Sequence, residues 1–144
     1  MSKQYDSVAV IGRILIGVLF LMSGVGKLAA PAATQGFIVS VGLPAPFASY
    51  AVAVAVEVLG SSLLVAGFRT RFVAAGMAVF AFATALAFHR NCADQNQMIH
   101  FMKNIAIIGG LLQVVAFGGG KFSVDGWLAH RSAGSAHAAP QLAK

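Results

Sequence analysis

The chain is poor in charged side chains and has almost no cysteine. Of its 144 residues only 10% are Asp, Glu, Lys or Arg, whereas 58% are hydrophobic. Soluble domains carry about 25% charged residues, and disordered chains combine high charge with low hydrophobicity, so both classes are excluded. The single cysteine, Cys92, allows neither an intrachain disulfide nor a Cys-x-x-Cys redox pair. We predict that Cys92 is a loop residue without a function.

Acidic residues are also scarce, with four against ten basic residues and a formal net charge of +6. A basic excess is typical of nucleic-acid-binding proteins, but here the basic residues are scattered over the ends of apolar stretches. They are better explained as topogenic charges that contact anionic lipid headgroups. The sequence has no phosphate-binding loop, dinucleotide fingerprint, catalytic triad or zinc-ligand spacing. We therefore expect neither a self-contained catalytic motif nor a metal site.

Four long apolar stretches make up most of the chain. They cover approximately residues 8–28, 46–68, 72–88 and 98–117. A hydrocarbon core about 30 Å thick requires roughly 20 helical residues, and an open strand in lipid would leave its backbone unpaired. The sequence therefore predicts an all-α integral membrane protein, a four-helix antiparallel bundle over residues 8–125. Residues 1–7 form a polar lead, and residues 126–144 form a tail that is predicted to be disordered.

The distribution of lysine and arginine predicts the orientation of this bundle. An even number of spans places both termini on one side of the membrane. The basic residues on that side are Lys3, Arg13, Arg69, Arg71, Lys121, Arg131 and Lys144. Those on the opposite side are Lys27, Arg90 and Lys103. Because positive charge is retained in the cytoplasm, both termini are predicted to be cytoplasmic.

Glu57 is the most informative polar residue, because it lies near the middle of the second apolar stretch. Its short side chain cannot reach either membrane surface, so it must be protonated, paired with a cation or exposed to trapped water. Arg13 from the cytoplasmic side and Lys103 from the outer side are the candidate partners. Two roles remain open: an ion pair that fixes helix register, or a group that handles protons or binds a ligand.

A second group of polar residues is predicted at the outer end of the bundle. His100, Lys103 and Asn104 share one helix face, and Lys27 and His89 end their helices at the same level. This cluster could hold an anion or the carbonyl oxygens of a quinone. Alternatively, the lysines snorkel to the interface and the histidines are solvated. A haem bound between the two histidines is disfavoured, since their spacing matches no ligand motif.

Several segments resemble the DoxX family of membrane proteins. They are residues 13–17 leading to 23–28, residues 57–60 before 64–71, residues 83–89, residues 101–110 and residues 117–125. The resemblance implies a multi-pass four-helix protein of the bacterial inner membrane. The family is named for a membrane subunit of an archaeal thiosulfate–quinone oxidoreductase, and its members are linked to quinone or thiol redox stress. The resemblance implies that the following polar residues should be tested first: Arg13, Lys27, Glu57, His89, Lys103 and Asn104.

Three hypotheses for function follow from the sequence and the resemblance. The first is a membrane subunit that binds quinone, or anchors a soluble redox partner subunit, through a polar pocket around Glu57. The second is a non-catalytic assembly or scaffolding protein in which the polar residues only fix helix register. The third is a small proton-coupled transporter, which would require a homo-oligomer because four short helices leave little room for alternating access.

Overall fold

The computed structural model describes residues 3–89, 91 and 93–138 of the chain. Over these residues every regular element is a helix. The elements are α1 (Lys3–Ala29), α2 (Pro31–Ser40), α3 (Pro46–Ala55), a π-helical turn (Val56–Gly60), α4 (Ser61–Ala66), α5 (Thr70–Phe88), α6 (Gln95–Phe117) and α7 (Val124–Ala138). The predicted all-α fold class is therefore confirmed.

Four of these segments are long and apolar enough to cross a membrane. They are Asp6–Ala29, Pro46–Ala66, Thr70–Phe88 and Gln95–Phe117, and we refer to them as the first to fourth spans. The second span combines α3, the π turn and α4. It ends at Ala66 because Gly67 adopts φ 72°, a left-handed conformation that terminates helices. The fourth span begins earlier than predicted, because the Asp94 carboxylate caps it by accepting a hydrogen bond from the Gln97 amide at 2.9 Å.

Two further helices lie outside the spans. The connection after α1 contains the helix α2, which begins with Pro31 in its first turn. The tail, predicted to be disordered, forms α7 over Val124–Ala138. Ser123 Oγ accepts a hydrogen bond from the Gly126 amide at 3.0 Å and so caps this helix. The guanidinium of Arg131 lies 4.2 Å from the centre of the Trp127 ring, a cation–π contact one turn apart. Residues 139–144 lie outside the described part of the chain.

The spans pack around a core of small and aliphatic side chains contributed by all four of them. The buried members are Phe20, Leu64, Ala74, Met77, Ala78, Ala81 and Leu111. The first span approaches the second closely because Gly24 has no side chain. A Cβ atom at Gly24 would lie 2.8 Å from Val58 Cγ2 and 3.0 Å from Glu57 Cβ. This contact brings the first span directly against the π turn.

Arg13 joins three segments at the end of the bundle that carries both termini. It is only 1% exposed, and its Nη1 donates to Leu64 O at 3.0 Å while Nη2 donates to Phe122 O at 2.9 Å. The predicted pairing of Arg13 with Glu57 is therefore wrong. The carbonyls at the end of α4 form the negative end of the helix dipole and attract a cation, and Arg13 donates to those of Leu64 and Val65.

Candidate functional site

The π turn determines how Glu57 is presented to the rest of the bundle. In a π turn each amide bonds five residues back, which widens the helix and leaves nearby carbonyls under-satisfied. Two serines that follow the turn compensate: Ser61 Oγ donates to Glu57 O, and Ser62 Oγ donates to Val58 O at 2.7 Å. The sequence therefore stabilises an irregular helix at the position of its only mid-span acid. Single π turns of this kind are frequent at functional sites.

Lys27 is the partner of Glu57. Lys27 Nζ lies 2.8 Å from each of the two carboxylate oxygens, and the Glu57 side chain is only 6% exposed. Ser23 completes the group, because its hydroxyl accepts from Lys27 Nζ at 2.8 Å and lies 3.2 Å from Glu57 Oε1. All three N–H groups of the ammonium thus have an acceptor. Lys27 was predicted to belong to the polar cluster at the outer end of the bundle. Its ammonium instead forms an ion pair with Glu57.

A large cavity lies beside this ion pair. It has a volume of about 940 Å³, within the range of small-molecule sites. Its walls come from the first span, α2, α3, the π turn, α5 and α6. Most lining residues are apolar, and among them are Leu19, Phe20, Phe37, Ile38, Val52, Phe80, Phe88 and Ile107. The polar lining residues are Ser23, Lys27, Thr34, Ser49, Glu57, Thr84, His89, Lys103 and Asn104. We call this space the Glu57 cavity.

The two predicted histidines meet at the edge of the Glu57 cavity. The rings of His89 and His100 stack with their centres 5.0 Å apart and their planes at 24°. Lys103 Nζ lies 3.1 Å from His100 Nδ1, and Gln97 Oε1 lies 3.1 Å from His89 Nδ1. His100 does not line the cavity itself but supports His89, which does. Arg90 and Cys92 of the adjoining loop lie outside the described residues.

Asn104 is the one polar lining residue whose side chain makes no hydrogen bond within the described part of the chain. The hydroxyls of Thr34, Ser49 and Thr84 donate to backbone carbonyls of nearby residues, at 2.9, 3.0 and 2.8 Å. The Asn104 amide, half-buried on α6 next to Lys103, is therefore available to a ligand. Among the serine and threonine residues that line the cavity, Ser23 could have been predicted as a site residue from the sequence, because it precedes Lys27 by four residues and so lies on the same helix face.

The seven predicted site residues separate into two groups. Five of them line one cavity, namely Glu57, Lys27, His89, Lys103 and Asn104. His100 stacks on the His89 ring from outside that cavity. Arg13 is not a lining residue, and within the described residues its hydrogen bonds go to backbone carbonyls at the other end of the bundle. Within the described residues, no group of three or more His, Cys, Asp or Glu side chains is arranged to hold a metal ion.

Asp125 anchors the segment before α7 at the same end as Arg13. Its carboxylate accepts hydrogen bonds from the amides of Arg69 and Thr70, at 2.7 and 2.8 Å, and from Thr70 Oγ1 at 2.7 Å. Burial by itself raises the pKa of Asp125. The hydrogen bonds from Thr70 and Arg69, together with the charge of Arg13, outweigh it and bring the pKa below its ordinary value.

Comparison with known proteins gave one family and several relatives. The family model described as DoxX matches residues 8–90. The chain is 34% identical over 125 residues to "Inner membrane protein YqjF" of Escherichia coli K12, covering 87% of this chain and 95% of that protein. It is 32% identical to "Inner membrane protein YphA" of the same organism, covering 80% of this chain and 86% of that protein. "Putative oxidoreductase CatD" of Bacillus subtilis 168 is 33% identical over 51% of this chain and 53% of its own length. No solved structure matches the chain significantly.

Proposed function

Because this chain belongs to the DoxX family of membrane proteins, we propose that it binds a quinone in the Glu57 cavity and serves as the quinone-binding subunit of an inner-membrane oxidoreduction system. In this proposal a separate redox partner exchanges electrons with the bound quinone. The inner-membrane location follows the names of the two Escherichia coli relatives. We also propose that both termini are cytoplasmic, since most of the basic residues are expected on their side of the membrane.

The shape of the Glu57 cavity supports a ligand that arrives from the lipid. Leu19, Phe37 and Val52 line the cavity and are 44%, 53% and 57% exposed on the bundle. In a membrane these side chains face hydrocarbon, so the cavity opens sideways into the bilayer. A quinone carries an apolar tail that dissolves in the bilayer, and it can enter there without crossing water. A strongly charged substrate would have to cross the same hydrocarbon at a large energetic penalty.

The available hydrogen-bond donors support a carbonyl-bearing ligand. Lys27 has already placed its three N–H groups on Ser23 and Glu57. Lys103 uses one donor on His100 and retains others, and the Asn104 amide has no partner in the described chain. The unpartnered Asn104 amide, next to Lys103 in the wall of an apolar cavity, is the observation that carries the proposal. Quinone carbonyls are acceptors and match these two neighbouring donors.

The relative CatD adds a limited argument. Its name refers to oxidoreduction, and its match covers about half of this chain. Oxidoreduction is a function that a quinone ligand would serve, but the name does not indicate which residues would bind the quinone. The cavity and its donors therefore carry more of the proposal than the name does.

Quinone binding can be measured directly on the protein purified in mild detergent. Organic extraction followed by chromatography should recover bound quinone, and a short-chain ubiquinone should bind saturably to the extracted protein. Asn104→Leu should weaken that binding about 2- to 10-fold, since one hydrogen bond contributes roughly 0.5–1.5 kcal/mol. Gln113→Leu on the same helix is the matched control, because Gln113 does not line the cavity. Protein that carries no quinone and shows no saturable binding would refute the proposal.

A scaffolding role is the second candidate, and the Lys27–Glu57 pair favours it. The pair satisfies itself within the bundle and needs no ligand to neutralise it. If scaffolding is the only function, affinity purification should recover a specific membrane partner from cells. Glu57→Gln should then lower the yield of folded protein without any separate loss of quinone-linked oxidation.

A further inference from the structure

We propose that His89 is the ligand-facing hydrogen-bond acceptor of the Glu57 cavity and gives it a preference for the hydroquinone form over the quinone form. This inference rests on the proposed function, since it names the redox form of the same ligand. It depends on the protonation states that the neighbours of His89 and His100 impose on the two stacked rings. Those states can be read from the hydrogen-bonding capacity of Lys103 and Gln97.

Lys103 determines which nitrogen of the His100 ring accepts a hydrogen bond. A lysine ammonium has only donors, so at the 3.1 Å contact Lys103 Nζ donates and His100 Nδ1 accepts. An imidazole nitrogen that accepts carries no proton, so the proton of the His100 ring is on Nε2.

His89 has the opposite arrangement. Gln97 Oε1 has only lone pairs, so at 3.1 Å it accepts, and His89 Nδ1 must carry a proton. In the neutral ring the other nitrogen, Nε2, is then an acceptor. Nε2 makes no hydrogen bond within the described part of the chain, and His89 lines the Glu57 cavity. A ligand hydroxyl is the complementary group, because it can donate to this lone pair.

The two ends of a bound quinone or hydroquinone ring would therefore contact different groups, donors at one end and an acceptor at the other. Lys103 and Asn104 donate to an oxygen at one end, whether that oxygen is a carbonyl or a hydroxyl. His89 Nε2 accepts only from a hydroxyl, and it opposes a carbonyl oxygen because two lone pairs would face each other. The cavity therefore distinguishes the diol from the dione at its His89 end.

The test compares three matched probes under anaerobic conditions: a short-chain benzoquinone, its hydroquinone, and the dimethyl ether of that hydroquinone. Affinities are measured by calorimetry on the full chain in detergent at pH 8. The hydroquinone should bind roughly 2- to 10-fold more tightly than the quinone or the ether, as expected for one neutral hydrogen bond.

The informative variant is His89→Phe, which keeps a ring for stacking and removes both nitrogens. It should bind hydroquinone and quinone with equal affinity. His130→Phe on α7 is the control, because His130 is exposed and does not line the cavity. If His89→Phe does not fold, the comparison of hydroquinone with its ether in the wild-type protein decides the question.

Two results would overturn the inference. One is a wild-type protein that binds quinone and hydroquinone equally at pH 8. The other is a His89→Phe variant that keeps the wild-type preference. In each of these cases quinone binding itself stands. A wild-type protein that binds none of the probes would instead refute the proposed function together with this inference.

Discussion

Separating Lys27 from Glu57 should destabilise the bundle more than removing both of them. In Lys27→Met the Glu57 carboxylate keeps only the Ser23 hydroxyl as a partner, although its side chain is 6% exposed. A buried charge that loses its partner typically costs about 3–5 kcal/mol of stability. Glu57→Gln should cost less, roughly 1–3 kcal/mol on the same principle, because the Lys27 side chain is 27% exposed and can turn toward the cavity opening.

The double variant Lys27→Met, Glu57→Gln removes both charges and is the decisive comparison. Replacing a buried ion pair by neutral groups of similar volume is often close to neutral for stability. The double variant should therefore be more stable than Lys27→Met alone, and the coupling energy in the double-mutant cycle should approach the sum of the two single effects, about 4–8 kcal/mol. Reversible unfolding of all four proteins in the same detergent measures it. If the two single effects simply add, the buried ion pair does not exist in the folded protein.

Two further predictions concern the end of the bundle that holds Arg13. Gly67→Ala should lower the free energy of unfolding by about 3 kcal/mol or more, since Gly67 has φ 72° and an added Cβ would collide with the Arg13 guanidinium. Gly76→Ala, a helical position with open space around it, is the control and should leave stability unchanged or raise it by roughly 0.5–1 kcal/mol. Because the pKa of folded Asp125 is lowered, its carboxylate should contribute stability above about pH 4, the unfolded value, and lose it as pH falls through the folded pKa. Asp125→Asn should thus be less stable than the wild type at pH 7, by a margin that shrinks as the pH is lowered below about 4, and a constant difference would contradict this.

The sequence predicted the four spans well because hydrophobicity alone determines where they lie. Long uncharged stretches are stable in hydrocarbon only as helices, so their number and approximate bounds follow from composition alone. Their ends depend on local chemistry, and the errors of two or three residues occur at caps such as Asp94. The helix α7 was missed because its sequence is rich in small and polar residues and has no marked apolar face. Its helicity depends on the Ser123 cap and the contact of Arg131 with Trp127.

The partner of Glu57 shows what a linear sequence leaves open. Its burial follows from its position in a span, but depth along a helix does not say which neighbouring face it meets. Arg13 and Lys27 lie on the same stripe of the first span. The close contact at Gly24 and the π turn select Lys27, whereas the end of α4 provides carbonyls for Arg13.

By itself, the sequence determined that this protein is a four-span helical membrane protein with a buried acid and a group of polar residues near one end. Those features depend on hydrophobicity, charge and helical periodicity, all of which are local. Only the tertiary structure decided that Lys27 neutralises Glu57, that a cavity lies between α2 and α5, and that His89 and His100 stack. These are contacts between segments far apart in the chain, and their geometry depends on how whole helices pack.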